Sequence, residues 1–330
     1  MEKARLIISR HRIGTDGEGI RTLVSFSGCP LNCKYCINEE LKNTDADIDW
    51  FTPEQLLEEL SKDNYYFLAT GGGVTFSGGE PLLHSGFIRE FCQLCNPKWK
   101  IDIETCLNVP QERLAEVFPF ISMFIVDVKD MSDDIYRSYT GRDNGNVISN
   151  LDYLKDSLIL SGGKTRVVIR VPSIPGYNND SDVSRSIEMI RERYDKLFDI
   201  DKFEYFTSKD NMPVANGKEI CKVLKAVRRE LIKENELGIV QPRCRNKGNC
   251  SGTCPVCEAE LASINERLGE DGEYESTSYE IAIKQRGIHF HSVQELTPVP
   301  LLGVVTLKEP MPLLGDIKIK KPEKVDKNQD

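Results

Sequence analysis

Apolar and polar positions fall into two alternating textures along this chain. Short apolar runs rich in Val, Ile and Phe recur at Thr22–Ser27, Val74–Ser77, Lys100–Glu104, Met123–Val128, Arg166–Val171 and Lys202–Phe206. Nearly continuous apolar runs of this length predict strands covered on both faces. Segments with helical spacing lie between them, at 86–95, 110–117, 147–160, 181–196 and 217–236. Thr52-Pro53-Glu54-Gln55 opens a further helix. It offers a hydroxyl cap, a proline at the first position and a Gln to close a capping box. Six strands alternating with helices predict an α/β fold with a parallel sheet. The expected form is a partial (β/α)6, TIM-like barrel with a C-terminal Cys-rich extension. A doubly wound sheet has the same periodicity, and either fold puts its chemistry at the C-terminal strand ends.

The alternation stops near Gly238. The chain is therefore expected to divide into a core at 1–240, a Cys-rich extension at 241–295 and a Pro-rich tail at 296–330. An acidic amphipathic stretch runs from Glu258 to Glu280. The tail contains a near-repeat, Pro298-Val299-Pro300-Leu301-Leu302-Gly303, echoed at Pro310-Met311-Pro312-Leu313-Leu314-Gly315. It is expected to be an extended arm packing its leucines on the body.

Composition narrows the function. No stretch of about 18 apolar residues occurs, so no membrane span is expected. The start, MEKARLIISRHR, lacks the apolar core of a secretory signal, which points to a cytoplasmic protein. A formal charge of −9 argues against a large nucleic-acid face. The 11 cysteines change the picture most. In a chain without an export signal they read as thiols and metal ligands, not disulfides.

Cys29, Cys33 and Cys36 have the spacing C-x3-C-x2-C directly after a predicted strand. Three thiolates on one short loop can hold three corners of a cubic iron–sulfur cluster and leave the fourth iron open. A zinc knuckle would need a fourth ligand from afar.

This spacing resembles that of the radical S-adenosylmethionine (radical SAM) superfamily, and the likeness extends beyond the loop. Asp16-Gly17-Glu18-Gly19-Ile20-Arg21 precedes it, and Gly71-Gly72-Gly73-Val74-Thr75-Phe76-Ser77-Gly78-Gly79-Glu80-Pro81 follows it. Glu104-Thr105, Asp127-Val128-Lys129 and Arg170 to Asn178 come in order. Together they resemble the glycyl-radical-enzyme activating enzymes, over about residues 5–215.

The resemblance implies a 4Fe–4S cluster on Cys29, Cys33 and Cys36, with S-adenosylmethionine bound at the open iron. Reductive cleavage would give a 5′-deoxyadenosyl radical that takes hydrogen from a polypeptide substrate. It implies cofactor contacts from Tyr35, Gly78, Gly79, Glu80, Glu104, Lys129 and Arg170, and a monovalent cation near Glu104, Thr105 and Asp127. It places Asp16 near the active-site mouth. A flavodoxin or ferredoxin would supply electrons. Arg170 is also notable by itself, since a cation in an apolar run needs an anionic partner.

Some positions depart from the resemblance. Ile37 stands where the activating enzymes carry His, and Tyr205-Phe206-Thr207 where they have a Pro-Tyr-His run. Cys106 replaces a common Asn. The cofactor residues are thus expected to be intact and the substrate-facing ones changed. Two polypeptide substrates follow: a glycyl radical enzyme, or a small ribosomal peptide acted on by a maturase.

Cys244, Cys250, Cys254 and Cys257 form a second group, with Gly248, Gly252 and Pro255 to permit tight turns. Four soft ligands suit zinc or a second 4Fe–4S cluster. Cys92, Cys95 and Cys221 fall on helical patterns and are expected to be packing residues. Cys106 is the scattered cysteine nearest a strand end. His289 and His291 alternate as on a strand and are expected to be structural.

Overall fold

Eight strands join one sheet in the computed structural model, which describes residues 2–13, 16–42, 48–204, 217–244 and 254–269. The elements run β1 (Ala4–Ile13), β2 (Ile20–Phe26), α1 (Glu39–Lys42), β3 (Trp50–Phe51), α2 (Pro53–Ser61) and α3 (Asn64–Thr70). They continue through β4 (Gly73–Gly78), α4 (Ser85–Leu94), β5 (Lys100–Thr105), α5 (Gln111–Val117), β6 (Met123–Asp127) and α6 (Asp133–Thr140). Last come α7 (Gly145–Ser161), β7 (Arg166–Ser173), α8 (Asp180–Tyr194), β8 (Asp199–Glu204), α9 (Gly217–Glu234) and α10 (Pro255–Leu268).

The strand order is β3-β1-β2-β4-β5-β6-β7-β8. From β2 to β8 every pairing is parallel, which gives the six expected strands. Each parallel strand lies beside the next one in sequence. A doubly wound sheet would instead reverse direction at a switch point. Sequential order with same-handed crossovers puts the helices on one face, as in a barrel wall. The expected barrel is therefore the form found. Among the described residues its ladder runs from β3 to β8, and these two strands do not pair.

Several elements differ from the sequence expectation. β1 adds an antiparallel strand beside β2, and the two-residue β3 pairs with it. β8 begins three residues before the expected run. Helices α3 and α6 were hidden by their brevity. The capping box at Thr52 is as expected: Gln55 N donates to Thr52 Oγ1, and Thr52 N to Gln55 Oε1.

The outer face of the sheet is apolar. Val24, Phe76, Ile103, Phe124 and Ile169 share one core with Leu56, Phe87, Leu114, Leu151 and Ile190 of the helices. The period-two alternation of strands then turns Arg21, Thr75, Ser77, Asp102, Glu104 and Arg170 to the inner face. Most are buried, so paired charges fill part of the barrel interior, beside the apolar Met123, Ile125 and Val168.

Arg21 and Asp102 form one such pair, at 3.0 Å. Arg21 also donates to Thr75 Oγ1 and to the carbonyls of Val74 and Lys100. Burial pushes the Asp102 carboxyl up to about 6 from 3.8, against the pull of Arg21. A carboxyl raised on folding holds its proton more tightly in the native state. Its stabilising contribution is complete below the ordinary 3.8 and is lost as pH rises through about 6. Asp102→Asn is expected to flatten that decline by about 3 kcal/mol. Urea midpoints across this pH range read the difference. Parallel curves for the two proteins would refute it.

A second core lies toward the N-terminal ends of the strands. There Tyr65 and Tyr66 of α3 and Ile20 of β2 pack with Leu224 and Val227 of α9 and Leu261 and Ile264 of α10. A bulge in β1 between Ser9 and Arg12 turns Arg10 and His11 onto Asp63, at 2.6 and 3.1 Å. Arg10 also reaches Glu258 of α10 at 3.0 Å. Thus α10, which holds most of the described residues of the extension, is fastened to β1. The Pro-rich tail, Cys250, His289, His291 and Tyr205-Phe206-Thr207 lie outside the described residues. Among the described residues no helix is long and apolar enough to cross a membrane.

Candidate active site

All ten described cysteines are free. Cys29, Cys33 and Cys36 lie on the loop after β2, at the C-terminal end of the sheet, and each is half-buried. Backbone contacts pin this loop from several sides. Ser27 N donates to Arg5 O, Gly28 N to Leu41 O and Asn32 N to Thr140 O. Lys42 Nζ donates to Cys33 O at 2.9 Å.

The turn after β4 is fused to the same loop. Gly79 N donates to Phe26 O and Glu80 N to Gly28 O, each at 2.8 Å. A Cβ on Gly79 would stand 2.1 Å from Gly28 O, and one on Gly78 would stand 2.6 Å from Phe26 N. Gly78 also has φ +104, a conformation that favours glycine. The sequence reading gave these glycines to a close approach by cofactor. In the structure the group approaching them is the backbone that carries the cysteines.

Glu80 is fully buried. Its carboxylate accepts from Thr105 Oγ1 at 2.7 Å, Cys106 N at 2.8 Å and Leu82 N at 3.1 Å. Burial pushes its carboxyl up, against these donors. Glu80 therefore ties the turn after β4 to the end of β5.

Cys106 stands between Glu80 and Cys29. Hydrogen bonding to Cys29, together with burial, holds the Cys106 thiol well above its ordinary range. The same hydrogen bond lowers Cys29. Burial pushes Cys33 up to about 11 and raises Cys36, while Lys129 and Lys42 pull the other way. Thiols bind metal as thiolates. A buried, thiol-rich loop of this kind is stabilised by a thiophilic cation, so the donor set fits the implied iron–sulfur cluster. Among the described residues no three His, Cys, Asp or Glu side chains gather closely enough for a single ion. A cubic cluster asks for a wider triangle, since each thiolate meets a different iron.

The remaining expected residues occupy the same end of the sheet or the wall beneath it. Lys129 pairs with Asp127 at 3.0 Å, just past β6. Arg170 finds the anionic partner its apolar run required: Glu104, at 3.2 Å. Ser77 Oγ donates to the other Glu104 oxygen at 2.7 Å. Burial raises the Glu104 carboxyl while Arg170 opposes. The carboxylates expected near a monovalent cation, Glu104 and Asp127, thus each face a cation of the chain itself. The Thr105 hydroxyl turns to Glu80. Asp16 is buried inside the barrel wall, where Arg12 Nε donates to it at 2.5 Å and its carbonyl accepts from Thr75 Oγ1.

Tyr35 stands where the resemblance expects an aromatic. It belongs to a trio with Tyr139 at the end of α6 and Tyr177 after β7, with ring centroids 5.2 to 6.2 Å apart. Sequence reasoning missed Tyr139, because α6 itself was missed. It also missed the Arg21–Asp102 pair, although Asp102, a charge inside an apolar run, was an available signal.

Comparison of the sequence with known proteins identifies the family. The profile of the Radical SAM superfamily matches residues 23–190, just over half of the chain. The (2S)-3-sulfopropanediol dehydratase activating enzyme of Klebsiella oxytoca is 29% identical over 229 residues, covering 50% of this chain and 69% of that protein. The pyruvate formate-lyase 1-activating enzyme of Escherichia coli K12 is 29% identical over 210 residues, covering 62% and 81%. The crystal structure of a domain of pyruvate-formate lyase-activating enzyme from Bacteroides vulgatus aligns at 23% identity with a TM-score of 0.34, over 49% of this chain and 92% of that one. The chain, with its three cysteines on the loop that ends the first parallel strand, belongs to the radical SAM superfamily.

Proposed function

We propose that this protein is a radical SAM oxidoreductase that installs a glycyl radical on a partner enzyme. One observation carries the reading: the Cys29–Cys36 loop and the Gly78–Gly79 turn are joined backbone to backbone at the C-terminal end of the sheet. The names of its relatives, both activating enzymes, support the choice of substrate class.

Cys29, Cys33 and Cys36 would hold the 4Fe–4S cluster. When bound, the cluster would supply the single electron needed to cleave S-adenosylmethionine, the chemistry that allows hydrogen-atom abstraction from a substrate. The chain's own residues bind, orient and shield. Lys129 offers its ammonium to the methionine carboxylate, in exchange for Asp127. The backbone of Gly78 and Gly79 faces the amino acid end. Tyr35, with Tyr139 and Tyr177 behind it, forms an aromatic wall for the adenine. Glu104 and Arg170 neutralise one another beneath the site, so no buried charge there is left alone. A cytoplasmic flavodoxin or ferredoxin is the expected electron donor.

Ile37 favours a second reading, a maturase that acts on a small ribosomal peptide. It is exposed beside Cys36, where the activating enzymes carry a histidine. One experiment separates the two. The protein is incubated anaerobically with S-adenosylmethionine, reductant and a glycyl radical enzyme of the same organism carrying α-deuterated glycine. Activation yields a glycyl radical by electron paramagnetic resonance, and deuterium in the released 5′-deoxyadenosine. Unlabelled 5′-deoxyadenosine without a protein radical would sink the activation reading and leave the maturase.

A further inference from the structure

Two loops at the C-terminal end of the sheet carry residues given above to S-adenosylmethionine. The loop after β6 carries Lys129, and the loop after β7 carries Tyr177. Backbone joins their roots, where Val128 N donates to Arg170 O at 3.0 Å. β6 ends at Asp127 and β7 at Ser173, so beyond them each loop needs support of its own. Groups that meet a ligand keep their geometry when the residues beneath them are locked.

Asp130 supplies that support in the first loop. It is 1% exposed, so its carboxylate is out of water. Oδ1 accepts from Ser132 N at 2.9 Å and from Ser186 Oγ of α8 at 3.2 Å. Ser186 Oγ in turn accepts from Met131 N at 3.1 Å. Oδ2 accepts from Asn178 Nδ2 at 3.1 Å. Bonds to a carboxylate are charge-assisted and stronger than neutral ones. Together they fix the residues that immediately follow Lys129.

Asn178 does the same in the second loop. Its Nδ2 also donates to Pro172 O at 3.0 Å, and its Oδ1 accepts from Ile174 N. These bonds close the turn Ile174-Pro175-Gly176-Tyr177, in which Tyr177 N donates to Ile174 O at 3.0 Å and Gly176 has φ +80. Both amide hydrogens and the amide oxygen of Asn178 are engaged, so the amide cannot turn over without losing all three contacts. The Tyr177 ring centroid then stands 5.8 Å from that of Tyr35 and 5.2 Å from that of Tyr139.

We propose that Asp130 is a positioning residue which, through Asn178, locks the loop of Lys129 to the loop of Tyr177. The contacts for the methionine carboxylate and for the adenine are thereby held at one separation, and the ligand meets a site already arranged. The inference rests on the S-adenosylmethionine reading of that site. Asp130 and Asn178 act through Lys129 and Tyr177, not by touching the ligand.

The test uses the full-length protein and the variants Asp130→Ala and Asp130→Asn. Alanine removes the acceptor, whereas asparagine keeps one oxygen that can turn to Asn178. Amide hydrogen exchange is followed first, in protein without cluster or ligand. Asp130→Ala is expected to speed exchange at Ile174 and Tyr177 about tenfold, the cost of one hydrogen bond to a carboxylate. The amides of β4 should keep the parental rate. In the cluster-loaded protein the Kd for S-adenosylmethionine is expected to rise about tenfold in Asp130→Ala. KM should follow it, while kcat for cleavage changes far less. Asp130→Asn is expected to restore most of both effects. If Asp130→Ala does not fold, Asn178→Leu removes the bridge from the other loop and should speed exchange at Ser132. Exchange that rises evenly over all strands, with parental affinity, would make Asp130 a support of the whole fold and overturn the proposal. Parental affinity in Asp130→Ala, when the parental protein binds, would overturn the proposal alone. A parental protein that binds no S-adenosylmethionine would overturn the reading of the site and the proposal with it.

Discussion

Replacing Cys33 by alanine is expected to abolish reductive cleavage of S-adenosylmethionine. The rate should fall roughly 10³-fold or more, equivalent to about 4 kcal/mol in the barrier. The reason is one of counting. Two thiolates on one loop leave two irons of a cubic cluster without protein ligands. The substitution should spare the fold. The Cys33 side chain is only partly buried, and its carbonyl stays held by Lys42. Cys92→Ala is the matched control, because Cys92 lies on α4, away from the loop. Iron content and released 5′-deoxyadenosine are the readouts. Cleavage at the parental rate in Cys33→Ala would remove this loop from the chemistry.

The second large effect belongs to Glu80. Its carboxylate accepts from Thr105 Oγ1, Cys106 N and Leu82 N in a fully buried place. Glu80→Ala leaves these donors without an acceptor and without water. Each such loss costs about 1–3 kcal/mol, so a total of roughly 3–9 kcal/mol is expected. Glu80→Gln keeps the shape but presents its amide hydrogens to at least one donor, and should cost less. The effect on function should exceed that on the fold. Glu80 N donates to Gly28 O, so movement of Glu80 displaces the turn that faces the cysteine loop. The apparent KM for S-adenosylmethionine is expected to rise more in Glu80→Ala than in Glu80→Gln. Denaturant midpoints and initial rates measure the two effects. A Glu80→Ala protein with parental stability would contradict the role given to those three hydrogen bonds.

The parallel strands were legible because each is an apolar run bounded by helical spacing. Periodicity could not distinguish a barrel from a doubly wound sheet, because both bury the same strand faces. Strand order decided it. β1 was missed because its short apolar run, Leu6-Ile7-Ile8, is flanked by Arg5, Ser9 and Arg10, and a bulge breaks the period at His11. The site was legible where chemistry is written into spacing, as at Cys29, Cys33 and Cys36. It was less legible where a residue acts through a partner distant in sequence. Nothing in the spacing around Glu80 announced its hydrogen bonds to the end of β5. Arg170 announced a missing anion but not Glu104.

The central claim is that the Cys29–Cys36 loop supports radical SAM chemistry. The most direct measurement is 5′-deoxyadenosine release by the anaerobically reconstituted protein, with dithionite and S-adenosylmethionine and without any substrate. The account predicts that 5′-deoxyadenosine accumulates together with methionine, and that neither forms in Cys33→Ala. A protein whose first cluster is loaded and reduced, yet which releases no 5′-deoxyadenosine, would contradict it.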